Sequence, residues 1–119
     1  MVLREPLSLW GGMDPETGEL IDVRHPQRGA SLAGRIVVMR ETRGSSSSSS
    51  VLAEAVRGGH APAAILLAEA DLILAVGAMV AEELYGVRVP VLVLSPTDLA
   101  QIRQDQGIDI SEAGEVALG

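Results

Sequence analysis

Arg35-Ile36-Val37-Val38-Met39-Arg40-Glu41-Thr42-Arg43-Gly44-Ser45-Ser46-Ser47-Ser48-Ser49-Ser50-Val51-Leu52-Ala53-Glu54-Ala55-Val56-Arg57 holds the key to both fold and site. Arg35 to Met39 is an apolar, β-branched run and reads as a buried strand. Val51, Leu52, Ala55 and Val56 recur at helical spacing, with Glu54 and Arg57 on the other face. Between strand and helix lie a glycine turn and six serines. A strand end, a glycine, hydroxyls and a helix start together present backbone N–H groups, and a nucleophile or base, to an anion.

The same alternation continues downstream. Gly58-Gly59 ends the helix, and Ala63 to Leu67 reads as a second buried strand. Gly77 to Tyr85 reads as a second helix, with Val80 and Leu84 inward and Glu82 and Glu83 outward. Gly86 stops it, Pro90 opens a third strand over Val91 to Leu94, and Met13 and Met79 are expected to pack. Strand, helix, strand, helix, strand at this spacing predicts an α/β domain with a parallel sheet core and right-handed crossovers. Past Ser95, Pro96-Thr97-Asp98 suits an N-cap region for a short helix over Leu99 to Arg103, followed by a polar tail and a last strand near Val116. Upstream, residues 1–34 are broken every few positions by Gly11-Gly12, Asp14-Pro15-Glu16-Thr17-Gly18, His25-Pro26 and Arg28-Gly29. Loops are expected there, with short strands at Leu7 to Trp10 and Leu20 to Val23, and Trp10 as a core or interface anchor.

At 119 residues without repeat or linker, the chain is one domain over residues 1–119. With 47% apolar residues but 2% aromatics and no Phe, its core must be aliphatic and thin, so a partner surface is expected to complete it. A net charge of −7 and no basic cluster argue against nucleic acid or an anionic membrane as partner. The absence of cysteine leaves no thiolate nucleophile and no home for a zinc or iron–sulfur centre made by this chain alone. With no leader pattern and no apolar run of membrane-spanning length, the expected location is the cytoplasm.

Six serines in a row are often a linker, but a linker needs a domain on each side, and the 44 residues ahead of Ser45 are rich in turns. Helix capping explains one serine, not six. Small hydroxylated residues let a ligand approach the backbone, the helix start carries about half a positive charge, and Arg43 can add a full one. A carboxylate or phosphate site fits this chemistry. A serine there can also act as a base if amides and a guanidinium stabilise its alkoxide. His25 and His60 sit in Gly/Pro-rich loops, where solvated histidines are expected, and no Ser-His-Asp order stands out.

Gly11-Gly12 with Asp14-Pro15-Glu16-Thr17-Gly18, Gly29-Ala30-Ser31-Leu32-Ala33-Gly34-Arg35-Ile36-Val37-Val38, Arg43-Gly44-Ser45, Ala61-Pro62-Ala63-Ala64-Ile65 and Ala75-Val76-Gly77-Ala78 occur in this order. In that register, from about Glu5 to Leu94, the chain resembles the swivel domain or small subunit of the aconitase X family. The resemblance implies the swivelling β/β/α fold of the aconitase C-terminal domain, and a hydro-lyase (dehydratase) acting on a small hydroxy acid. It implies that Ser45 is the proton acceptor, active only when docked on a large subunit holding iron or an iron–sulfur cluster; this chain itself binds no metal. Arg43, Gly44, Ser46 and Asp14 are then the candidate substrate contacts. Relatives carry a further stretch ahead of the position of Glu5, so one strand of the small barrel is expected to be missing or supplied differently. Archaeal relatives acting on mevalonate 5-phosphate show Gly-Ser-Thr-x-Gly-Ser where this chain has Ser48 in place of the second glycine. Ala81-Glu82-Glu83-Leu84-Tyr85-Gly86 and Val89-Pro90-Val91 look more like bacterial relatives, some of which dehydrate cis-3-hydroxy-L-proline. Two rivals stand beside this reading: a regulatory module that only holds an anion, and a phosphohistidine carrier built on His60. The second wants its histidine at a helix start after Ser or Thr, whereas His60 leads into a strand.

Overall fold

A computed structural model describes residues 1–42 and 47–118. Three strands, β1 (Ile36–Val38), β2 (Ala64–Leu67) and β3 (Val91–Val93), form a parallel sheet in the order β1-β2-β3. Because side chains alternate across a strand, the sheet divides the core in two. Val37, Met39, Ile65 and Leu67 face one side, where Leu52, Ala55 and Val56 of α2 (Ser48–Gly58) and Leu74, Ala78 and Ala81 of α3 (Leu72–Tyr85) cover them. Val38, Leu66 and Leu92 face the other side, covered by Leu99 of α4 (Pro96–Ala100) and by Ile102. An antiparallel hairpin of β4 (Ile108–Ile110) and β5 (Val116–Leu118) closes that side with Ile108, Ile110 and Val116. Hairpin, sheet and helix pair give the expected β/β/α layering. Residues 1–3 run beside β1, Leu3 N–H donating to Val38 O at 2.7 Å and Val38 N–H to Met1 O at 2.8 Å.

The helix starts and stops follow local chemistry. Gly59 and Gly86, both left-handed, cap α2 and α3 at their carboxyl ends, as the sequence predicts. On the solvent face of α2, Arg57 donates to Glu54, which holds that carboxyl below its usual range. Helix α3 begins five residues earlier than predicted, at Leu72, because Asp71 caps it by accepting from Leu74 N–H at 3.0 Å. Its phase also differs from expectation. Leu74, Gly77, Ala78 and Ala81 face inward, while Val80 and Leu84 are exposed and Met79 is 69% exposed. A helix apolar on every side offers no polar stripe to fix its phase, and small residues win the inner face because they let α2 come close. A Cβ on Gly77 would lie 2.8 Å from Ser49 Cα.

Other expectations are also corrected. The strand predicted at Leu7 to Trp10 is a single parallel bridge, Leu7 to Thr42, running into one distorted helical turn, α1 (Leu9–Gly12), with Gly11 at φ 77°. The strand predicted at Leu20 to Val23 reduces to antiparallel bridges Met13 to Leu20 and Glu19 to Ser31, since turns on both sides interrupt the ladder. Ser95, not the Pro96-Thr97-Asp98 segment, caps α4, accepting from Asp98 N–H at 3.1 Å, so this helix starts at Pro96. The tail expected to be polar contains β4, whose Ile-Asp-Ile alternation half-buries Ile108 and Ile110 against the second core. His25 is buried rather than solvated: Gln27 N–H donates to Nδ1 at 3.1 Å and Nε2 donates to Glu5 O at 2.9 Å. Both ring nitrogens therefore serve the N-terminal loops. Met13 is buried, as expected.

Candidate functional site

All three sheet strands run the same way, so the loops that follow them gather at one edge, the carboxyl edge where parallel α/β sheets place their ligands. The serine run belongs to the first of these loops. Arg43, Gly44, Ser45 and Ser46 lie outside the described residues; their neighbours on both sides are well fixed. On the strand side, Thr42 bridges Leu7, and its Oγ1 donates to the Asp71 carboxylate. The other Asp71 oxygen caps α3, so one side chain ties this loop to the start of the second helix. Ala68 N–H and Glu69 N–H both donate to Arg40 O, at 2.9 and 3.2 Å, and join the second loop to the first.

On the helix side, Ser48 is buried, its Oγ 3.5 Å from Ser8 Oγ and 3.5 Å from Trp10 N. Ser49 packs against Gly77. The serine run thus enters a helix whose first turn is wedged between α1 and α3. No acidic residue lies in the first turn of α2, whose amino end carries the positive end of the helix dipole. Beside the loop, at the ends of β1 and β2, is an open cleft of about 310 Å³ lined by Arg4, Glu5, Arg40, Glu41 and Glu69.

Asp14 is placed elsewhere. Its Oδ1 accepts from Glu16 N–H at 2.9 Å, and its carbonyl accepts from Gly18 N–H at 2.7 Å, which makes a closed turn of Asp14-Pro15-Glu16-Thr17-Gly18. That turn packs on the carboxyl end of α2: a Cβ on Gly18 would lie 2.7 Å from His60 O, and one on Gly58 3.9 Å from Pro15 O. Ten residues of helix separate Gly58 from Ser48, about 15 Å. His60 follows the left-handed Gly59 at the negative end of α2, the wrong end for holding a phosphoryl group. Trp10 is 59% exposed and is no core anchor, while Glu82 and Glu83 are solvent-facing, as expected. The sequence reading missed Thr42, Asp71 and Ser8. Asp71 could have been found, since an aspartate directly ahead of Leu72-Ile73-Leu74 is a helix-start signal.

The residues of this chain do not fit an iron or iron–sulfur centre. It has no cysteine, and among the described residues no group of three His, Asp or Glu side chains converges as ligands. Among the same residues, no helix is long and apolar enough to cross a membrane.

Comparison with known proteins agrees with this fold. Residues 1–118 match the family model described as the aconitase X swivel domain. The chain is 54% identical over 88 residues to the cis-3-hydroxy-L-proline dehydratase of Pseudomonas aeruginosa, a match covering 74% of this chain and 15% of that protein. It is 37% identical over 116 residues to the phosphomevalonate dehydratase small subunit of Thermococcus kodakarensis, covering 97% of this chain and 87% of that one. The crystal structure of Thermococcus kodakaraensis aconitase X in its holo-form superposes with a TM-score of 0.84 at 33% identity, covering 99% of this chain and 85% of that chain. With the family model matching residues 1–118 and the fold shared over 99% of its length, this chain belongs to the aconitase X swivel domain family.

Proposed function

We propose that this chain is the swivel, or small, subunit of an aconitase X-type hydro-lyase, located in the cytoplasm and active with a large subunit that carries the iron or iron–sulfur centre. Ser45 is its base. The observation that carries the reading is the position of the serine run in a chain of this family: between the carboxyl end of β1 and the amino end of α2. There the helix dipole favours negative charge, on a substrate carboxylate or on an alkoxide. In the reaction, Ser45 Oγ takes the proton from the carbon next to the carboxylate. The electron pair of that C–H bond forms the new double bond as the hydroxyl on the adjacent carbon departs with the C–O bonding pair. The partner's metal centre would supply the Lewis acid for that hydroxide, and hydroxide plus the proton taken up by Ser45 make the one water released. Arg43, Gly44 and Ser46 orient the carboxylate and steady the alkoxide. Asp14, held in its turn at the far end of α2, shapes the domain in this reading rather than touching the substrate.

The substrate we favour is cis-3-hydroxy-L-proline, on the strength of 54% and 42% identity to two dehydratases named for it. Mevalonate 5-phosphate is the second reading, favoured by similarity that in the Pyrococcus and Thermococcus small subunits runs over 116 to 119 residues rather than 88 to 96. The test is to co-express the chain with an aconitase X large subunit, purify the complex without oxygen, and assay both dehydrations. Turnover should fall by about 10²–10⁴-fold with Ser45→Ala while the complex still assembles. A complex that turns over equally well with Ser45→Ala refutes the base assignment. Assembly with neither substrate consumed refutes both substrates, and an isolated chain that binds carboxylates yet no large subunit returns the anion-binding module.

A further inference from the structure

Helix α3 is apolar on both faces, and among the described residues only one face is buried. Leu74, Gly77, Ala78 and Ala81 pack inward, while on the opposite side Leu72, Val76 and Met79, at i, i+4 and i+7, are 77%, 55% and 69% exposed. Ile73 and Val80 flank this stripe, and no charge interrupts the helix before Glu82 and Glu83. A helix hydrophobic all round belongs in an interior. The exposed stripe amounts to roughly 600 Å², at the top of what a monomer shows to water and close to the ~800 Å² that each side of a stable interface contributes.

We infer that the outer face of α3 is the docking surface for the large subunit of the proposed hydro-lyase; this rests on that functional reading. Two features select this occupant over a second copy of the chain. First, α3 contains no Lys or Arg, carries Asp71 at one end and Glu82-Glu83 at the other, and belongs to a chain of net charge −7. Pairing two copies face to face sets acid against acid in either direction, parallel or antiparallel. The fitting partner presents an apolar groove with basic residues where Glu82 and Glu83 arrive. Second, the stripe begins at Leu72, directly after Asp71, whose carboxylate holds Thr42 at the strand side of the serine loop. A partner seated there is brought beside the loop on which its chemistry must act.

The experiment uses the chain co-expressed with an aconitase X large subunit, with affinity read by calorimetry or surface plasmon resonance. Val76→Glu and Met79→Glu place a good helix former at exposed positions, so circular dichroism and melting should stay as in the wild type. Each is expected to weaken the complex by about 30-fold or more. Val23→Glu, at an equally exposed apolar site in the N-terminal turns, should leave affinity unchanged. If wild type and both α3 variants bind alike, the surface assignment is overturned and the hydro-lyase reading survives. If the chain instead forms a dimer in sedimentation that Met79→Glu dissolves, the second copy is the occupant and the inference fails. If the wild type binds no large subunit, the functional reading itself fails, and this inference with it.

Discussion

Replacing Gly77 by alanine tests whether the α2–α3 seam is set by backbone contact. In an ordinary helix interior this change stabilises by about 1 kcal/mol, because alanine is the better helix former. Here the added methyl would sit 2.8 Å from Ser49 Cα, 2.9 Å from Ser49 Cβ and 3.1 Å from Ser49 O. None of these belongs to a long side chain that can swing away. The two helices must part by about 0.5–1 Å, and such a gap already forfeits a quarter to a half of the dispersion energy of the contacts it opens. Leu52 on α2 and Leu74, Ala78 and Ala81 on α3 lie in the same cluster and lose contact together. Overpacking of this kind costs about 1–3 kcal/mol. With Ser49 backbone atoms in the way, the upper part of that range applies, about 2–3 kcal/mol; less the propensity gain of about 1 kcal/mol, the net loss is about 1–2 kcal/mol, or a fall of about 4–8 °C in Tm for a domain of this size.

The assay is thermal and urea denaturation of the isolated chain, with Gly107→Ala beside it. At Gly107 a Cβ meets nothing within 4 Å, so that variant should be neutral or slightly stabilised. Ser49 stands four positions from Ser45, so the same displacement should also reduce turnover of the assembled enzyme, by about tenfold to a hundredfold. A Tm for Gly77→Ala equal to or above that of the wild type would refute the reasoning, since it would mean that the seam absorbs a methyl without moving.

Two further substitutions probe the ends of α2 and α3. Gly18→Ala combines a positive φ of 79° with a Cβ 2.7 Å from His60 O and 2.8 Å from Ala33 Cβ, so it should lower stability by about 2–4 kcal/mol in urea melts. Because that turn lies at the far end of α2 from the serine loop, kcat of whatever complex still folds should hold. Asp71→Ala removes the cap of α3 and the Thr42 anchor together and should cost about 1–2 kcal/mol, whereas Thr42→Val, which keeps the cap, should cost less stability but reduce turnover as much. Equal losses of stability for the two would show that Asp71 acts through the Thr42 contact rather than as a cap.

The parallel sheet was legible because each strand is a short aliphatic run bounded by glycine, proline or a helical pattern. Gly59 and Gly86 end their helices as expected, since a left-handed cap is a local requirement that glycine meets without strain. The phase of α3 was not legible. Val76, Met79 and Val80 are as apolar as Leu74, and the choice of inner face was made by the fit of Gly77 to another helix, which no local pattern encodes. The N-terminal third defeated strand reading for a related reason: its pairings are single bridges set by turns, with no run of alternating residues. Ile108-Asp109-Ile110 did carry the alternation of a strand, and the charged residues around it hid the signal. For the site, the serine run announced itself, while Thr42 and Ser8 carry no sequence signature because their roles come from tertiary neighbours.

These observations link the serine loop mechanically to the surface that faces outward. Thr42, on one side of the loop, is held by Asp71 at the start of α3; Ser49, past its other side, is pressed against Gly77 about a turn and a half along the same helix. Both flanks of Ser45 therefore touch α3, while Leu7, Ser8 and Trp10 hold them from the other side. A serine is a poor base unless its alkoxide meets donors already in place, and a displacement of even 1 Å is expensive. A partner seated on the outer face of α3 would rest on an element that touches both flanks of the loop. On this reasoning the two faces of α3 have separate roles, the inner one positioning the loop and the outer one docking the partner: Gly77→Ala, which moves the loop without touching the outer face, should reduce kcat and spare affinity, and Met79→Glu should weaken affinity and leave kcat of the saturated complex near that of the wild type.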